Sequence, residues 1–271
     1  MRFAKAHACG NDFLIIERAC DPELAKKLCE RHTGIGADGV EFFEATGAFK
    51  GRIRLANADG SIAEISGNGT RCVAAWIAHT KKAAPGDVIT LETDAGTRAC
   101  TIIGADGNHF QIAAGMGVPE VSQTPVTLAD KTVVHGIHVS MGNPHFVIVV
   151  NNPDFKVDNQ TWASIGQQIC FHPDFHYQTN VEFVRVPDPQ RIQPPSRIEI
   201  RIFERGVGPT TSSGTGTSAC AAAAIAFHGC TSPLTVVAPG GVQTVTWPGP
   251  GSELHLTGPA SLIARGEAWP A

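Results

Sequence analysis

The stretch N-A-D-G-S-I-A-E-I-S-G-N-G-T-R-C-V-A-A-W-I-A, Asn57 to Ala78, reads as a strand end, a glycine-bracketed turn and then a helix. Ser66-Gly67-Asn68-Gly69-Thr70 is the turn. Its two glycines can take positive φ and let the backbone approach a ligand. Thr70 to Ala78 follows as a helix of small and apolar residues bearing Trp76 and Ile77. A helix that opens this way presents unpaired N–H groups and the positive end of its dipole, which suits a carboxylate or phosphate.

The device recurs 147 residues further on, as Ser213-Gly214-Thr215-Gly216-Thr217, followed by Ser218, Ala219, Cys220 and the alanine run Ala221 to Ala224. Four of the five turn residues are the same, and both turns open alanine-rich helices. In a chain of 271 residues this half-length spacing predicts a duplicated domain, each half offering one helix N-terminus. The plainer alternative is two ordinary glycine turns before two buried helices.

Composition narrows the partners. A hydrophobic content of 42% with 17% charged residues describes a globular chain with ample core. A net charge of −4 and a pI near 6.2 argue against nucleic acid and anionic membrane surfaces. The start, Met1 to Lys5, lacks the apolar core of a signal peptide, and the longest apolar run, Ala219 to Phe227, is far short of a membrane span. The expectation is a soluble cytoplasmic protein. Its eight cysteines (Cys9, Cys20, Cys29, Cys72, Cys100, Cys170, Cys220 and Cys230) include no C-x-x-C pair, so they read as reduced core hydrophobes rather than zinc ligands.

In chain order, Phe3–His7 and Phe13–Ile16 predict a hairpin about Cys9-Gly10-Asn11-Asp12. Asp21-Pro22-Glu23 starts a helix to about His32. Gly34 to Gly39 is a tight loop, and strands follow at Val40–Glu44, Gly51–Asn57, Val88–Thr93, Gly96–Ile103 and His109–Ala113. Gly115 to Pro119 breaks the pattern. The first half is placed at 1–118, with a C-terminal strand over about 260–271 able to return to it, and the second at 119–259. The second half echoes the first. Strands are expected at Thr132–Ser140, His145–Val150, Asn180–Val186 and Arg197–Phe203, then at Thr235–Val237, Gln243–Trp247, Leu254–Thr257 and Ser261–Glu267. A helix is expected over Asn159–Gln168, and Gln193-Pro194-Pro195 reads as a loop.

Several polar side chains sit at loops beside strands: Asn11, Asn57, Asn68, Asn143, Asn180 and the pair Glu204-Arg205. An asparagine offers a donor and an acceptor together, which suits an amino acid's ammonium and carboxylate, and an arginine can fork onto a carboxylate. Turn chemistry alone also favours asparagine. The histidine pairs His135/His138 and His172/His176 make poor metal ligands, the first because i and i+3 on a strand face opposite ways. No metal site is expected, and the glycine turns do not have nucleotide-binding spacing.

Taken together, K-A-H-A-C-G-N-D-F, H-T-G-I-G-A-D-G, the stretch quoted first, S-M-G-N-P-H, T-N-V-E-F-V, E-R-G-V-G and S-G-T-G-T-S-A-C resemble the diaminopimelate epimerase family, in order and over nearly the whole chain. The resemblance implies an α/β (α+β) fold of two pseudo-symmetric halves. Each is a β-barrel-like mixed sheet around a central helix, with the active site in the cleft between them. It implies a cofactor-independent isomerase that interconverts LL- and meso-diaminopimelate for lysine and peptidoglycan precursors, with a homodimer as a further implication. Family substrate contacts fall on Asn11, Asn57, Asn143, Asn180, Glu204 and Arg205, with backbone donors at Gly67-Asn68 and Gly214-Thr215. Glu204 and His145 match active-site positions.

The family's reaction uses two cysteines, one on each face of the α-carbon, and both positions are serine here, Ser66 and Ser213. Cys72 and Cys220 match family positions other than the catalytic ones. A thiol titrates near about 8.5 and falls further at a helix N-terminus, whereas a hydroxyl titrates far higher. Unassisted serines are therefore a poor acid–base couple. Four readings follow. The serines are activated by another group, or the pair is an introduced Cys→Ser substitution that traps substrate. Otherwise a related isomerase of another small acid uses Glu204 or His145 as its single base, or the chain is a catalytically silent amino-acid-binding protein.

Overall fold

The computed structural model describes residues 1–63, 65–187 and 196–269, so the loop expected at Gln193-Pro194-Pro195 lies outside the described residues. The chain divides into two compact units, one formed by Met1–Gly115 with the chain from Thr257 onward, the other by Met116–Leu256.

In the first unit, β1 (Arg2–Ala8) turns at Cys9 and Gly10, both at positive φ, into β2 (Asn11–Glu17), with His7 opposite Asp12. Asp21 caps α1 (Pro22–Cys29) by accepting from the Leu24 N–H. The helix stops three residues short of the expected end because the returning loop takes its last carbonyls: Gly34 N donates to Glu30 O, and Ile35 N and Gly36 N to Leu28 O. β3 (Gly39–Gly47) runs parallel to β2, and β4 (Lys50–Asn57) antiparallel to β3. After β5 (Ile62–Ala63) and α2 (Gly67–Lys81), β6 (Val88–Thr93) returns parallel to β4, then β7 (Gly96–Asp106) and β8 (His109–Gly115) follow as antiparallel neighbours. The last strand of the chain, His255–Glu267, pairs with both β8 and β1. Eight strands thus close into a barrel-like sheet around α2, which is buried without interruption from Gly67 to Ala75. The outside of β3 carries α1, over a cluster that includes Leu14, Ile16, Leu28, Val40 and Phe42.

The second unit repeats this order. β9 (Glu120–Thr127) pairs with β10 (Val133–Ser140), which forms a hairpin with β11 (Pro144–Val149). α3 (Trp162–Cys170) crosses to β12 (Asn180–Arg185), parallel to β11, and β13 (Arg197–Glu204) is antiparallel to β12. A short β14 (Gly208–Thr210) precedes α4 (Gly214–Phe227), and β15 (Leu234–Ala238) returns parallel to β13 before β16 (Gly241–Thr246) and β17 (His255–Glu267). Hairpin, parallel crossover, antiparallel return, short strand, buried helix and second parallel crossover recur in the same sequence, so the duplication extends well beyond the two serine turns.

Three expectations change. β9 was not anticipated: E-V-S-Q-T-P-V-T carries polar residues and a proline, and the strand is mostly exposed. The two late strands expected at Leu254–Thr257 and Ser261–Glu267 form one continuous β17. The serine turns are not loops but the first turns of their helices, which begin at Gly67 and Gly214 instead of at Thr70 and beyond. None of Gly67, Gly69, Gly214 and Gly216 is at positive φ. Gly69 and Gly216 meet a packing demand, not a conformational one.

Candidate active site

Each conspicuous serine is a helix cap. Ser66 is extended (φ −124°, ψ 118°), and its Oγ accepts the Gly69 N–H at 3.0 Å while its carbonyl accepts Thr70 N. Ser213 is likewise extended (φ −144°, ψ 131°), with Gly216 N donating to its Oγ at 3.2 Å and Thr217 N to its carbonyl. Capping by acceptance leaves each hydroxyl hydrogen free to donate elsewhere. Neither α2 nor α4 carries an acidic residue in its first turn, unlike α1 with Glu23, so no helix residue offsets the positive dipole end.

In the first unit, a hydrogen-bonded chain fixes the asparagines. Buried Arg71 donates through Nη2 to Asn68 Oδ1 at 2.6 Å, which turns Asn68 Nδ2 towards Asn11 Oδ1 at 3.2 Å. Asn11 Nδ2 in turn donates to Asp38 Oδ2 at 2.8 Å. Asp38 and Asp12 share Arg31, and Lys5 Nζ reaches Asp12 at 3.0 Å. Burial alone would raise the Asp12 carboxyl, but the bonds from Arg31 and Lys5 outweigh it and hold it below its ordinary value. Asn57 ends β4 opposite Gly39, with its Nδ2 on Ser61 Oγ at 2.9 Å. The structure therefore brings Ser66, Gly67, Asn68 and Asn11 together, with Asn57 at the neighbouring strand end.

In the second unit the polar side chains form a longer series. Ser213 Oγ lies 3.4 Å from Thr215 Oγ1, which accepts from Asn143 Nδ2 at 3.4 Å. Asn143 Oδ1 is 3.0 Å from His145 Nε2, and His145 Nδ1 is 2.7 Å from Glu182 Oε1. His145 and Glu182 are both fully buried. Asn180 braces the strand ends: its Nδ2 donates to Pro144 O at 3.0 Å and its Oδ1 accepts from Arg205 N at 2.9 Å. The Arg205 side chain is exposed, with Nη1 on Tyr177 O at 3.0 Å, and Glu204 is half-buried at the end of β13.

The helix cysteines take no part in this. Burial pushes the Cys72 and Cys220 thiols far up, out of reach of ionisation near neutrality. Among the described residues, no group of three or more His, Cys, Asp or Glu side chains could hold a metal ion, and no helix is long and apolar enough to cross a membrane.

The sequence profile of diaminopimelate epimerase matches residues 3–121 and 137–263, one segment in each half. The chain belongs to the diaminopimelate epimerase family. It is 37% identical over 294 residues to a diaminopimelate epimerase of Thermosynechococcus vestitus, and 36% identical over 286 residues to one of Pseudomonas syringae pv. syringae, in both cases over 98% of each chain. A crystal structure of a hydroxyproline epimerase from Agrobacterium vitis, at 16% identity, shares the fold with a TM-score of 0.66 over 98% of this chain and 90% of that one. The chain is thus a member of a family of cofactor-independent amino-acid isomerases, with the two-halved α+β fold that goes with it.

Sequence reasoning missed two buried carboxylates, Glu41 on β3 and Glu182 on β12. Each is the third residue of its strand, and each lies against the glycine at the third position of the neighbouring helix, Gly69 or Gly216. The available signal was an acid flanked by apolar residues at the same strand position in both halves, in G-V-E-F-F and N-V-E-F-V. Arg71 was missed as well, since an arginine inside a helix reads as solvated.

Proposed function

We propose that this epimerase-family chain acts on diaminopimelate, with Ser66 and Ser213 at the two proton-transfer positions. The reading is supported chiefly by the way both serines cap their helices. Each oxygen sits at the positive end of a buried helix, and neither cap uses the hydroxyl hydrogen. The α-carboxylate of the substrate suits the first-turn N–H groups that follow, at Gly67-Asn68 and Gly214-Thr215. Arg205, Asn57 and Asn180 read the distal amino-acid group, the exposed guanidinium of Arg205 pairing with its carboxylate. Inversion then removes the α-proton from one face and returns a proton to the other. Because a hydroxyl is far less acidic than a thiol, turnover with serines is slow compared with a thiol pair.

The test is α-proton exchange of LL-diaminopimelate in D₂O, followed by NMR, on the protein as it stands and on the Ser66→Cys, Ser213→Cys form. Weak exchange as it stands, rising by orders of magnitude in the dicysteine form, is the expected result. Tight binding without exchange in the native form, with activity only after the double substitution, would instead mark a binding protein on an intact epimerase scaffold. Silence in both forms would remove diaminopimelate as the substrate.

A further inference from the structure

His145 is the one imidazole in the second unit's series, and a single-base mechanism would ask it to accept a proton from substrate. The hydrogen-bond arithmetic opposes this. Nε2 faces the amide oxygen of Asn143, whose nitrogen is turned to Thr215. With the Asn143 amide turned this way its oxygen accepts, so the hydrogen of that bond belongs to Nε2. Nδ1 faces Glu182 Oε1 at 2.7 Å, so a second hydrogen lies in that bond. A ring N–H donates and a carboxylate oxygen accepts, so the hydrogen of this bond is counted on Nδ1. The ring is saturated and has no lone pair left to offer.

Burial points the same way. Glu182 is fully enclosed, its other oxygen has no hydrogen-bond partner, and its only ion-pair partner among the described residues is His145. A lone carboxylate there would be costly, and a carboxylate paired with an imidazolium is neutral as a unit. Around it, Gly216 of α4 presents backbone, and Cys220, one turn further along, stays a neutral thiol, raised first by burial and then by the charge of Glu182. The first unit lacks this pair. Phe13 opposes Gly39 at the start of β2 and β3, just as His145 opposes Asn180 at the start of β11 and β12, so Glu41 has a phenyl ring at the register position where Glu182 has its imidazole.

We propose that His145 is a buried imidazolium held by Glu182, and that the two are positioning residues: through Asn143 and Thr215 they fix the direction of the Ser213 hydroxyl, and His145 takes no proton from substrate. The charge state stands on the ligand-free geometry. The positioning role rests on Ser213 being a proton-transfer position, as proposed above. The pair makes the two serines unequal: Ser213 adjoins this charged network, while among the described residues the Ser66 hydroxyl has its cap bond from Gly69 N.

The experiment is ¹⁵N NMR of histidine-labelled, ligand-free protein at neutral pH, with His145 assigned through His145→Gln. Both ring nitrogens are expected to bear protons, and Glu182→Gln is expected to release one. A bare ring nitrogen on His145 in the unsubstituted protein would overturn the proposal, and this measurement does not depend on the Glu182→Gln variant folding. In the dicysteine form, Glu182→Gln is expected to lower kcat on the order of 10²-fold, the scale of a displaced reacting group, with KM little changed. An unchanged kcat there would overturn the positioning role. The spectrum needs no substrate, so its failure is separate from the absence of exchange in every form, which would count against the diaminopimelate reading alone.

Discussion

The carboxylate of Glu41 occupies the space in which a Cβ on Gly69 would lie, and Glu182 stands in the same relation to Gly216, where an added Cβ would come within 2.9 Å of Oε1. This explains the glycine at the third position of both helices. Gly69→Ala forces the methyl group into the buried carboxyl group of Glu41. A loss of at least about 1–3 kcal/mol is expected, the usual scale of overpacking. Urea denaturation of Gly69→Ala, Glu41→Ala and the double variant checks it. Most of the Gly69→Ala loss should vanish in the Glu41→Ala background, and simple additivity of the two would refute the contact.

Glu41 also sets a pH dependence. Burial raises its carboxyl to about 8 from an ordinary value of 4.5. The folded protein therefore binds one more proton than the unfolded chain between those values, and stability must fall as pH rises across that window. The contribution is complete below about 4.5 and lost above about 8. Glu41→Gln removes the titration. The stability difference, Gln variant minus native, should grow in favour of the variant from pH 5 to pH 8 and level off beyond, at no more than about 1.4 kcal/mol per pH unit. A difference that stays constant over this range would place Glu41 in a wetter setting than the structure gives it.

The period-two reading of strands explains why the glutamates were not legible in the sequence. Val40 and Phe42 pack outward under α1, and a period of two puts Glu41 on the other face of β3. That face looks into a closed sheet filled by α2 and is equally dry. Val181 and Phe183 leave Glu182 in the same position opposite α4. Alternation shows which residues share a face, but not that the sheet closes. The repeat, the two apolar helices and the asparagines at strand ends were legible because each has a local signature, whereas the serines read as turn residues and not as caps. The bonds between them, such as Arg71 to Asn68 or Glu182 to His145, join residues far apart in the chain or facing inward, and only the fold brings them together.

The serine caps carry a stability prediction separable from chemistry. Ser66→Ala removes the acceptor for Gly69 N and should cost about 0.5–2 kcal/mol. Ser213→Ala removes the acceptor for Gly216 N and also the neighbour of Thr215, and should cost at least as much. Asparagine is a good cap, so Ser66→Asn should restore most of the thermal stability while leaving α-proton exchange abolished. Recovery of exchange by Ser66→Asn would argue that Ser66 acts only as a cap.

Asn180 and Arg205 are expected to fail in different ways. The Asn180 amide is nearly enclosed at 5% exposure and uses both ends, donating to Pro144 O and accepting from Arg205 N. Asn180→Asp keeps the second bond but turns an anionic oxygen on the Pro144 carbonyl, at the strand end that carries Asn143 and His145. A loss of about 1–3 kcal/mol should accompany a fall in turnover, because a buried group is left facing an acceptor. The Arg205 side chain is exposed and, among the described residues, bonds only to Tyr177 O through Nη1, so Arg205→Lys should leave the melting temperature almost unchanged. What it removes is the planar fork that pairs with a carboxylate, and a lysine does not replace that geometry. Calorimetry of diaminopimelate binding beside thermal melts of both variants separates the two roles. Arg205→Lys should weaken binding alone, and Asn180→Asp should lower stability first. An Arg205→Lys protein that binds diaminopimelate as tightly as the original would take the distal carboxylate away from Arg205.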